Sequence, residues 1–184
     1  MTEITDERAF LVLNGARLKK MANAEEIAAA VGVDVQTAAS VLASAIAKDW
    51  AMDVDGRFLL VPEGTAVVHE YYRDIYGSLR LNTNLLAWYD RFEAINEQFI
   101  KQVSEWQATE GDERVQARLM KFLEEIIPSI PRYETYVRRF ANSVSLVDRG
   151  DKDYVCKPTI DSVHNVWFEF HEDILSVLGR PRDA

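Results

Sequence analysis

The chain of 184 residues has one cysteine, Cys156, and only 21 cations against 30 anions. A single cysteine excludes a framework of intrachain disulfides. Cys156 stands shortly before Pro158 with no neighbouring group that activates a thiolate, and we interpret it as structural. The net charge of −9 repels phosphate backbones and membrane surfaces, so nucleic-acid binding would need a local basic patch.

Long apolar runs and catalytic motifs are missing as well. No apolar stretch approaches the ~20 residues that a membrane span requires, and the acidic N-terminus MTEITDERAF lacks an apolar signal region. The sequence contains no GxSxG, GxxxxGK, GxGxxG or HExxH motif. We therefore expect a soluble, cytoplasmic protein that does not bind membranes, holds no cofactor and is not an autonomous enzyme.

The first third of the chain has the capping residues of three short helices. The first helix is predicted to begin near Asp6. Asn23 stands three residues before Glu26, which is the spacing of a capping box, and Gly32 is placed to end the helix that follows. Asp34 is predicted to cap the third helix, whose apolar residues recur at helical spacing: Val35, Ala38, Ala39, Leu42, Ala45 and Ile46.

After Trp50 the apolar spacing changes to that of a β-hairpin with an Asp55-Gly56 tip. Three helices followed by such a hairpin predict a winged helix over residues 1–61. The stretch from about residue 6 to 75 resembles the winged helices of bacterial MarR-type regulators, and DGRF is the most specific part of this resemblance. The resemblance implies a helix-turn-helix that binds DNA.

The residues available for DNA contacts on this winged helix are few. The third helix, which would be the recognition helix, offers Gln36, Thr37, Ser40 and Ser44 to base edges. The candidates for phosphate contacts are cations, namely Lys48, Arg57, Arg17, Lys19 and Lys20. Residues 1–61 contain 6 cations and 9 anions, a net charge of −3, so this region has no basic bias. A winged helix that serves protein interaction or dimerisation is the alternative.

The remaining residues, 62–184, have apolar stripes of several helices. Pro62 is placed to begin a helix with a stripe of Val68, Tyr71, Tyr72, Ile75 and Leu79. The longest stripe predicts a helix of ~25 residues closed by Gly111-Asp112; it comprises Leu81, Leu85, Trp88, Phe92, Ile95, Phe99, Val103 and Trp106. Shorter stripes follow: Val115, Leu119, Phe122 and Ile126; Tyr133, Val137, Phe140, Val144 and Val147; Ile160, Val163, Trp167, Phe170, Ile174 and Val177.

These stripes predict an antiparallel helical bundle, so the whole fold is mainly α, a winged helix followed by a bundle. The longest predicted helix is longer than the helix that follows it, so its protruding end must pack on another part of the protein or on a partner. It packs on the winged helix or on a second subunit, and we favour a homodimer in which the bundle dimerises.

The last helix has the densest polar and aromatic cluster of the chain, from Asp161 to Asp173. We predict a pocket for a small, partly aromatic ligand, formed by Trp88, Tyr136, Asp161, His164, Trp167 and His171. The alternative is a helix capped by Thr159 or Asp161 with two histidines at the core margin.

A metal site is a third interpretation of the same cluster. Asp161, His164 and His171, joined by His69, make a plausible ligand set. This set is similar to that of fatty-acid-regulator-type winged-helix proteins, some of which bind a metal through carboxylate and imidazoles. The spacing is not distinctive, and we assign no metal ligands.

The segment PTIDSVHNVWFEFHEDIL also resembles a stretch of uncharacterised actinobacterial proteins linked with phosphoenolpyruvate-synthase-like dikinases. This chain lacks their nucleotide-binding and phosphohistidine domains, so the resemblance implies an accessory or substrate-presenting subunit of such a partner enzyme. Two functions are therefore expected. The first is a dimeric, DNA-binding winged-helix transcriptional regulator that senses a small ligand, and the second is the non-DNA-binding accessory subunit.

Overall fold

The fold is mainly α, as predicted, with one two-stranded antiparallel sheet in the described residues. The computed structural model of the chain describes residues 3–106 and 113–181, and for 102–106 and 113–118 the backbone alone. The chain divides into two compact units, Met1–Arg80 with Glu172–Ala184, and Leu81–His171. The functional division predicted between residues 61 and 62 stays a prediction.

The first unit begins with three helices, a hairpin and a fourth helix. These elements are α1 (Glu7–Lys19), α2 (Ala24–Val31), α3 (Val35–Ala47), β1 (Ala51–Val54), β2 (Arg57–Leu60) and α4 (Pro62–Tyr76). The predicted caps are confirmed: Asp6 caps α1, Asn23 and Glu26 form a capping box on α2, and Asp34 caps α3. The left-handed residue Gly32 ends α2. These local signals place the helix ends because each satisfies backbone amides or carbonyls that the helix leaves unpaired.

The hairpin has the two-residue tip that its sequence predicts. Val54 pairs with Arg57, and Asp55 and Gly56 both have positive φ, 53° and 78°, as the favoured type of hairpin turn requires. The Asp53 carboxylate accepts a hydrogen bond of 2.7 Å from the Gly56 amide. Phe58 exchanges two backbone hydrogen bonds with Ala22, so the segment between α1 and α2 covers the outer edge of β2.

Small residues allow the helices of the first unit to pack closely. The core between them consists of Val12, Ala16, Ala22, Ile27, Ala28, Ala38 and Leu42. A methyl group on Gly15 of α1 would lie 2.7 Å from Val31 Cγ1, so only glycine fits this contact with α2. In the described part of the chain no single helix is long and apolar enough to cross a membrane, and α2 with α3 reaches that composition only as a pair bent by 116°.

The predicted stripe of α4 is correct for its first half and wrong for its second. Val68, Tyr71 and Tyr72 are buried, whereas the side chain of Ile75 is 53% exposed. The helix gives way after Tyr76 to a 3₁₀ turn, Gly77–Leu81, in which no residue is buried. The turn changes the angle between successive residues and carries Leu79, the last predicted position, off the buried stripe, whereas Ile75 belongs to α4 itself and is exposed in its last turn.

The second unit contains the remaining helices and the residues that connect them. They are α5 (Thr83–Trp106), α6 (Glu113–Ile126), a 3₁₀ turn (Pro131–Tyr133), α7 (Glu134–Asp148), α8 (Asp153–Cys156) and α9 (Val163–Leu178). The last helix contributes residues up to His171 to this unit and residues from Glu172 to the first unit.

The prediction that Leu81 starts the stripe of α5 is wrong. Asn82 caps α5 through hydrogen bonds from the Asn84 and Leu85 amides, so Leu81 precedes the helix and is 84% exposed. The predicted stripe positions Leu85, Trp88, Phe92, Ile95 and Phe99 are all buried. Val103, Trp106, the Gly111-Asp112 closure and Val115 lie outside the residues whose side chains are described.

The buried face of α7 is rotated from the predicted one. Tyr136, Arg139, Phe140 and Ser143 are buried, whereas Val137, Val144 and Val147 are only half-buried. The prediction counted apolar residues alone and therefore missed a stripe that contains an arginine and a serine. The predicted caps of α9 are also wrong, because Ser162 accepts the hydrogen bond from the Asn165 amide.

Candidate functional site

The outward side of α3 is polar but carries no charge. Its thirteen residues, VQTAASVLASAIA, include no acidic or basic side chain. Gln36, Ser40 and Ser44 are exposed, four residues apart, and therefore lie on one side of the helix. Thr37 instead donates a 2.6 Å hydrogen bond to Asp34, and this contact lowers the pKa of the Asp34 carboxyl below its ordinary value. Three of the four predicted base-contacting residues are thus accessible together.

Three of the five cations predicted to contact phosphates have identified partners within the first unit. Arg57 Nη2 lies 3.0 Å from both the Met21 carbonyl and Glu26 Oε2. Lys48 Nζ lies over the Trp50 ring, 4.3 Å from its centroid. Arg17, the third of these cations, donates hydrogen bonds to Asn14 and Ser176. Of the two others, Lys19 is half-buried in the last turn of α1 and Lys20 is exposed beside it.

Apolar side chains are exposed on α3 and on the adjacent strand β1. Val35 and Ile46 of α3 are 41% and 36% exposed, and Met52 and Val54 of β1 are 51% and 40% exposed. We call these four residues the apolar face. These four are half of the large hydrophobic side chains that are exposed in the described residues, and they all belong to a segment of twenty residues.

The second unit contains a buried arginine held by two carboxylates. Arg139 Nε and Nη2 bind Asp161 at 2.8 and 2.9 Å, and Nη2 also binds Glu169 Oε2 at 2.7 Å. Arg139 and Glu169 are almost fully buried, whereas the Asp161 side chain is 34% exposed. Although burial alone lowers the pKa of Arg139, its hydrogen bonds to Asp161 and the charge of Glu169 raise that pKa above the ordinary value. This cluster fixes α7 against α9 and the loop before it.

The aromatic residues predicted to bind a ligand meet in the core of the same unit. Trp88, Tyr136 and Trp167 each contact the ring of Phe170, with centroid distances of 6.2, 5.6 and 6.0 Å. Trp88 Nε1 donates to the Phe122 carbonyl, and Trp167 Nε1 donates to the Asn96 side chain at 2.8 Å. Both indole groups therefore have protein partners, and ligand binding at these rings stays a prediction.

The three polar residues predicted for the ligand site lie in different surroundings. Asp161 is bound to Arg139, and His164 is exposed. His171 is buried with Nε2 located 3.2 Å from the Tyr89 hydroxyl and 3.1 Å from Glu93 Oε1. A neutral His171 can accept from Tyr89, and a protonated one can donate to Glu93. Asp161 and His171 thus have different partners, and their joint role in a ligand site stays a prediction.

The described residues contain no group of three histidine, cysteine, aspartate or glutamate side chains placed to hold a metal ion. His69 belongs to α4 in the first unit. Desolvation, followed by the charge of Arg17, lowers the pKa of His69 and so favours its neutral form.

A second buried polar cluster lies in the first unit and joins the two ends of the chain. Asn14 Nδ2 donates a hydrogen bond of 3.0 Å to the fully buried carboxylate of Asp173, and Arg17 donates hydrogen bonds to both Asn14 and Ser176. Sequence reasoning missed Asn14, Arg139, Glu169, Tyr89 and Glu93. One signal in the sequence could have indicated Arg139, because this polar residue stands between Tyr136 and Phe140 at the helical spacing of the buried stripe.

Comparison with known proteins adds no assignment, because no protein-family model, curated protein or solved structure matches the chain significantly.

Proposed function

We propose that the first unit is a winged helix that binds protein rather than DNA, and that the chain acts as a non-catalytic accessory protein. Two features support a winged helix. The helices α2 and α3 are bent by 116° across a short turn, within the range of helix-turn-helix pairs. The hairpin that follows α3 has a tight Asp55-Gly56 tip of the kind expected for a wing. The second unit would then be the antiparallel bundle that the sequence predicts.

The absence of charge on α3 is the observation that carries the proposal. Sequence-independent affinity for DNA comes from cations that neutralise phosphates and release counterions. The helix that would enter the major groove has no cation within its thirteen residues, and the chain as a whole carries a net charge of −9. Such a helix could make base contacts but would supply none of the electrostatic attraction that brings them into place.

The wing cation is also less available than its exposure suggests. Arg57 would have to leave the Met21 carbonyl and the Glu26 carboxylate before it could bind a phosphate. The Glu26 carboxylate also accepts from the Asn23 amide at 2.9 Å as part of the capping box, so its position is fixed by α2. An exposed ion pair of this kind is worth less than ~1 kcal/mol, but it lowers an attraction that is already weak.

The apolar face supports protein binding in its own right. The cores of protein interfaces are depleted of charge and enriched in residues such as methionine. Val35, Ile46, Met52 and Val54 fit this composition, whereas a DNA backbone offers them no apolar partner. The resemblance of the last helix to dikinase-linked proteins gives the class of enzyme that we propose as the partner of the chain.

A DNA-binding regulator is the second candidate function, and one observation favours it. Gln36, Ser40 and Ser44 are exposed on one side of α3, as side chains that contact base edges would be. In this alternative, a ligand bound in the second unit would act only through its different affinities for two arrangements of the dimer.

A DNA titration distinguishes the two functions without knowledge of an operator. The full chain is added to fluorescein-labelled random-sequence duplex at low ionic strength, together with Arg57→Ala and Glu26→Gln variants. Non-specific DNA binding usually has a Kd between about 10⁻⁶ and 10⁻⁴ M and weakens steeply with salt. We expect no saturable rise in anisotropy for any of the three proteins over this range.

The contrary result would be binding that salt abolishes, that Arg57→Ala weakens and that Glu26→Gln strengthens. Glu26→Gln is the informative control because glutamine can still cap α2 while it releases Arg57 from its ion pair. These results would overturn the proposed protein binding and support the DNA-binding regulator instead.

A further inference from the structure

We propose that the apolar face is the docking surface for a basic amphipathic segment of a partner protein. Such a segment would place apolar side chains on the four residues of the face, and lysines or arginines beside the carboxylates near them. This inference rests on the proposed function, since it gives the chemistry of the protein that the first unit binds.

The four apolar side chains are held in two pairs. Val35 and Ile46 are eleven residues apart on α3, close to three turns, so they lie on one side of the helix and ~16 Å apart along its axis. Met52 and Val54 are two residues apart in β1 and therefore share one face of the hairpin. The Trp50 amide donates a 2.8 Å hydrogen bond back to α3 and so closes the turn between the two pairs.

A partner reaches β1 through its side chains rather than through the backbone of the strand edge. Successive side chains of a strand point to opposite faces. Ala51 is only 4% exposed and faces the core, so Met52 and Val54 face away from the core. The contact that β1 offers is therefore the apolar surface of these two side chains.

Exposed carboxylates lie close to the apolar face along the chain. Each apolar side chain has one within three residues, and we call these four aspartates the acidic rim: Asp34, Asp49, Asp53 and Asp55. Two of them already accept hydrogen bonds, Asp34 from Thr37 and Asp53 from the Gly56 amide. A carboxylate has about four acceptor positions, so each of these two can still bind a cation.

The negative charge of the acidic rim is not balanced by cations of the same segment. Residues 34–55 contain the four aspartates and one cation, Lys48, which gives a net charge of −3. Lys48 lies over the Trp50 ring, and Arg57, the next cation along the chain, is bound to Glu26. This segment therefore attracts a basic partner and repels an acidic one.

The charges lie outside α3 rather than on it. No residue of α3 is charged, so an apolar contact along this helix buries no unpaired carboxylate. Protein interfaces commonly combine an apolar core with a polar rim, and a basic amphipathic segment matches both parts. Nucleic acid would bring phosphates towards the aspartates, and a second copy of this chain would bring further carboxylates, so the same charges disfavour both.

Fluorescence anisotropy with a designed peptide tests the docking surface. The probe is a fluorescein-labelled peptide of ~18 residues, about five helical turns, with leucines on one side and lysines on the other. In a matched acidic peptide glutamate replaces each lysine. At low ionic strength we expect the full chain to bind the lysine peptide saturably and the glutamate peptide not at all.

Met52→Ser is expected to weaken binding of the lysine peptide about tenfold, because it removes an apolar side chain from the contact. Ile75→Ser is the matched control, since Ile75 is as exposed as Met52, 53% against 51%, and lies on α4 of the same unit. The control is expected to bind the peptide as the unsubstituted chain does.

The double variant Asp49→Asn with Asp55→Asn is expected to bind the lysine peptide severalfold more weakly and with a smaller dependence on salt. Both residues have positive φ, 57° and 53°, which asparagine tolerates, so the backbone is kept. The matched control is Glu97→Gln with Glu134→Gln, which removes the same charge from exposed positions of the second unit. It measures general attraction to an acidic chain and is expected to leave binding unchanged.

Three outcomes would overturn the docking surface: a lysine peptide that does not bind, a glutamate peptide that binds equally well, or either variant of the surface binding as tightly as its control. Each can occur in a chain that does not bind DNA, and the proposed function would then stand with a partner of other chemistry. Salt-sensitive DNA binding would overturn the proposed function itself.

Discussion

Arg139→Ala is expected to lower the free energy of unfolding by about 3–5 kcal/mol, the usual effect of removing one partner from a buried ion pair. The substitution leaves the carboxylate of Glu169, which is only 8% exposed, without the guanidinium that binds it at 2.7 Å. It also removes the paired hydrogen bonds to Asp161 that hold the loop before α9. The loss exceeds that of a surface ion pair because a buried carboxylate cannot recover its solvation by water.

Arg138→Ala is the matched control, because Arg138 is the preceding residue of the same helix and is exposed. Urea unfolding followed by tryptophan fluorescence should show a change within about 0.5 kcal/mol for this variant. Adding Glu169→Gln to Arg139→Ala should recover part of the loss, since it removes the uncompensated charge. Equal effects of the two arginine substitutions would contradict the assignment of a buried charge cluster.

Gly64→Ala is expected to destabilise the first unit by about 3 kcal/mol, as overpacking against rigid neighbours does. A methyl group on Gly64 would lie 2.9 Å from the Trp50 carbonyl carbon and 3.0 Å from Trp50 Cβ, and closer still to the carbonyl oxygen. That oxygen also accepts a 3.1 Å hydrogen bond from the Val61 amide. Because the obstacle is backbone that joins α3 to the hairpin, it cannot rotate aside.

Gly77→Ala is the control for this substitution. Gly77 has the backbone conformation of a right-handed helix, with φ of −56°, and a methyl group there would meet nothing within 4 Å. Its replacement should be neutral or stabilise the chain by less than ~1 kcal/mol, because alanine reduces the freedom of the unfolded state. A stability loss at Gly77 equal to that at Gly64 would show that close approach to Trp50 is not the cause.

Local signals in the sequence were sufficient for the helix ends and the hairpin. Asn23, Glu26 and Asp34 each bind backbone groups a few residues away, and Asp55 with Gly56 forms the hairpin turn through its own backbone conformation, so short-range spacing alone determines what they do. Pro62 at the first position of α4 is another example. The mainly α fold could be predicted because these short-range signals agree with the spacing of the apolar residues.

The polar clusters could not be predicted in the same way, because they depend on residues far apart in the chain. Asn14 and Asp173 are 159 positions apart, and Arg139 binds carboxylates 22 and 30 residues later. No periodic pattern marks such pairs. The prediction of the buried stripe of α7 was wrong for a related reason. A pattern of hydrophobic residues does not include an arginine or a serine, although Arg139 and Ser143 are buried here and form hydrogen bonds.

The availability of the candidate DNA contacts also depended on distant partners. Arg57 looked like a wing cation in sequence, but Glu26, 31 residues earlier, binds it. The charge count of the chain indicated that DNA binding would need a local basic patch, and DNA binding itself stays a prediction. No such patch forms on α3, whose residues carry no charge.

Amide hydrogen exchange of α3 and β1, recorded for the protein alone and with random-sequence duplex DNA at low ionic strength, tests most directly whether the first unit binds DNA. The amides of α3 and β1 are expected to exchange at the same rates with and without DNA. Protection of these amides by DNA that salt abolishes would contradict the proposed function and assign this surface to DNA.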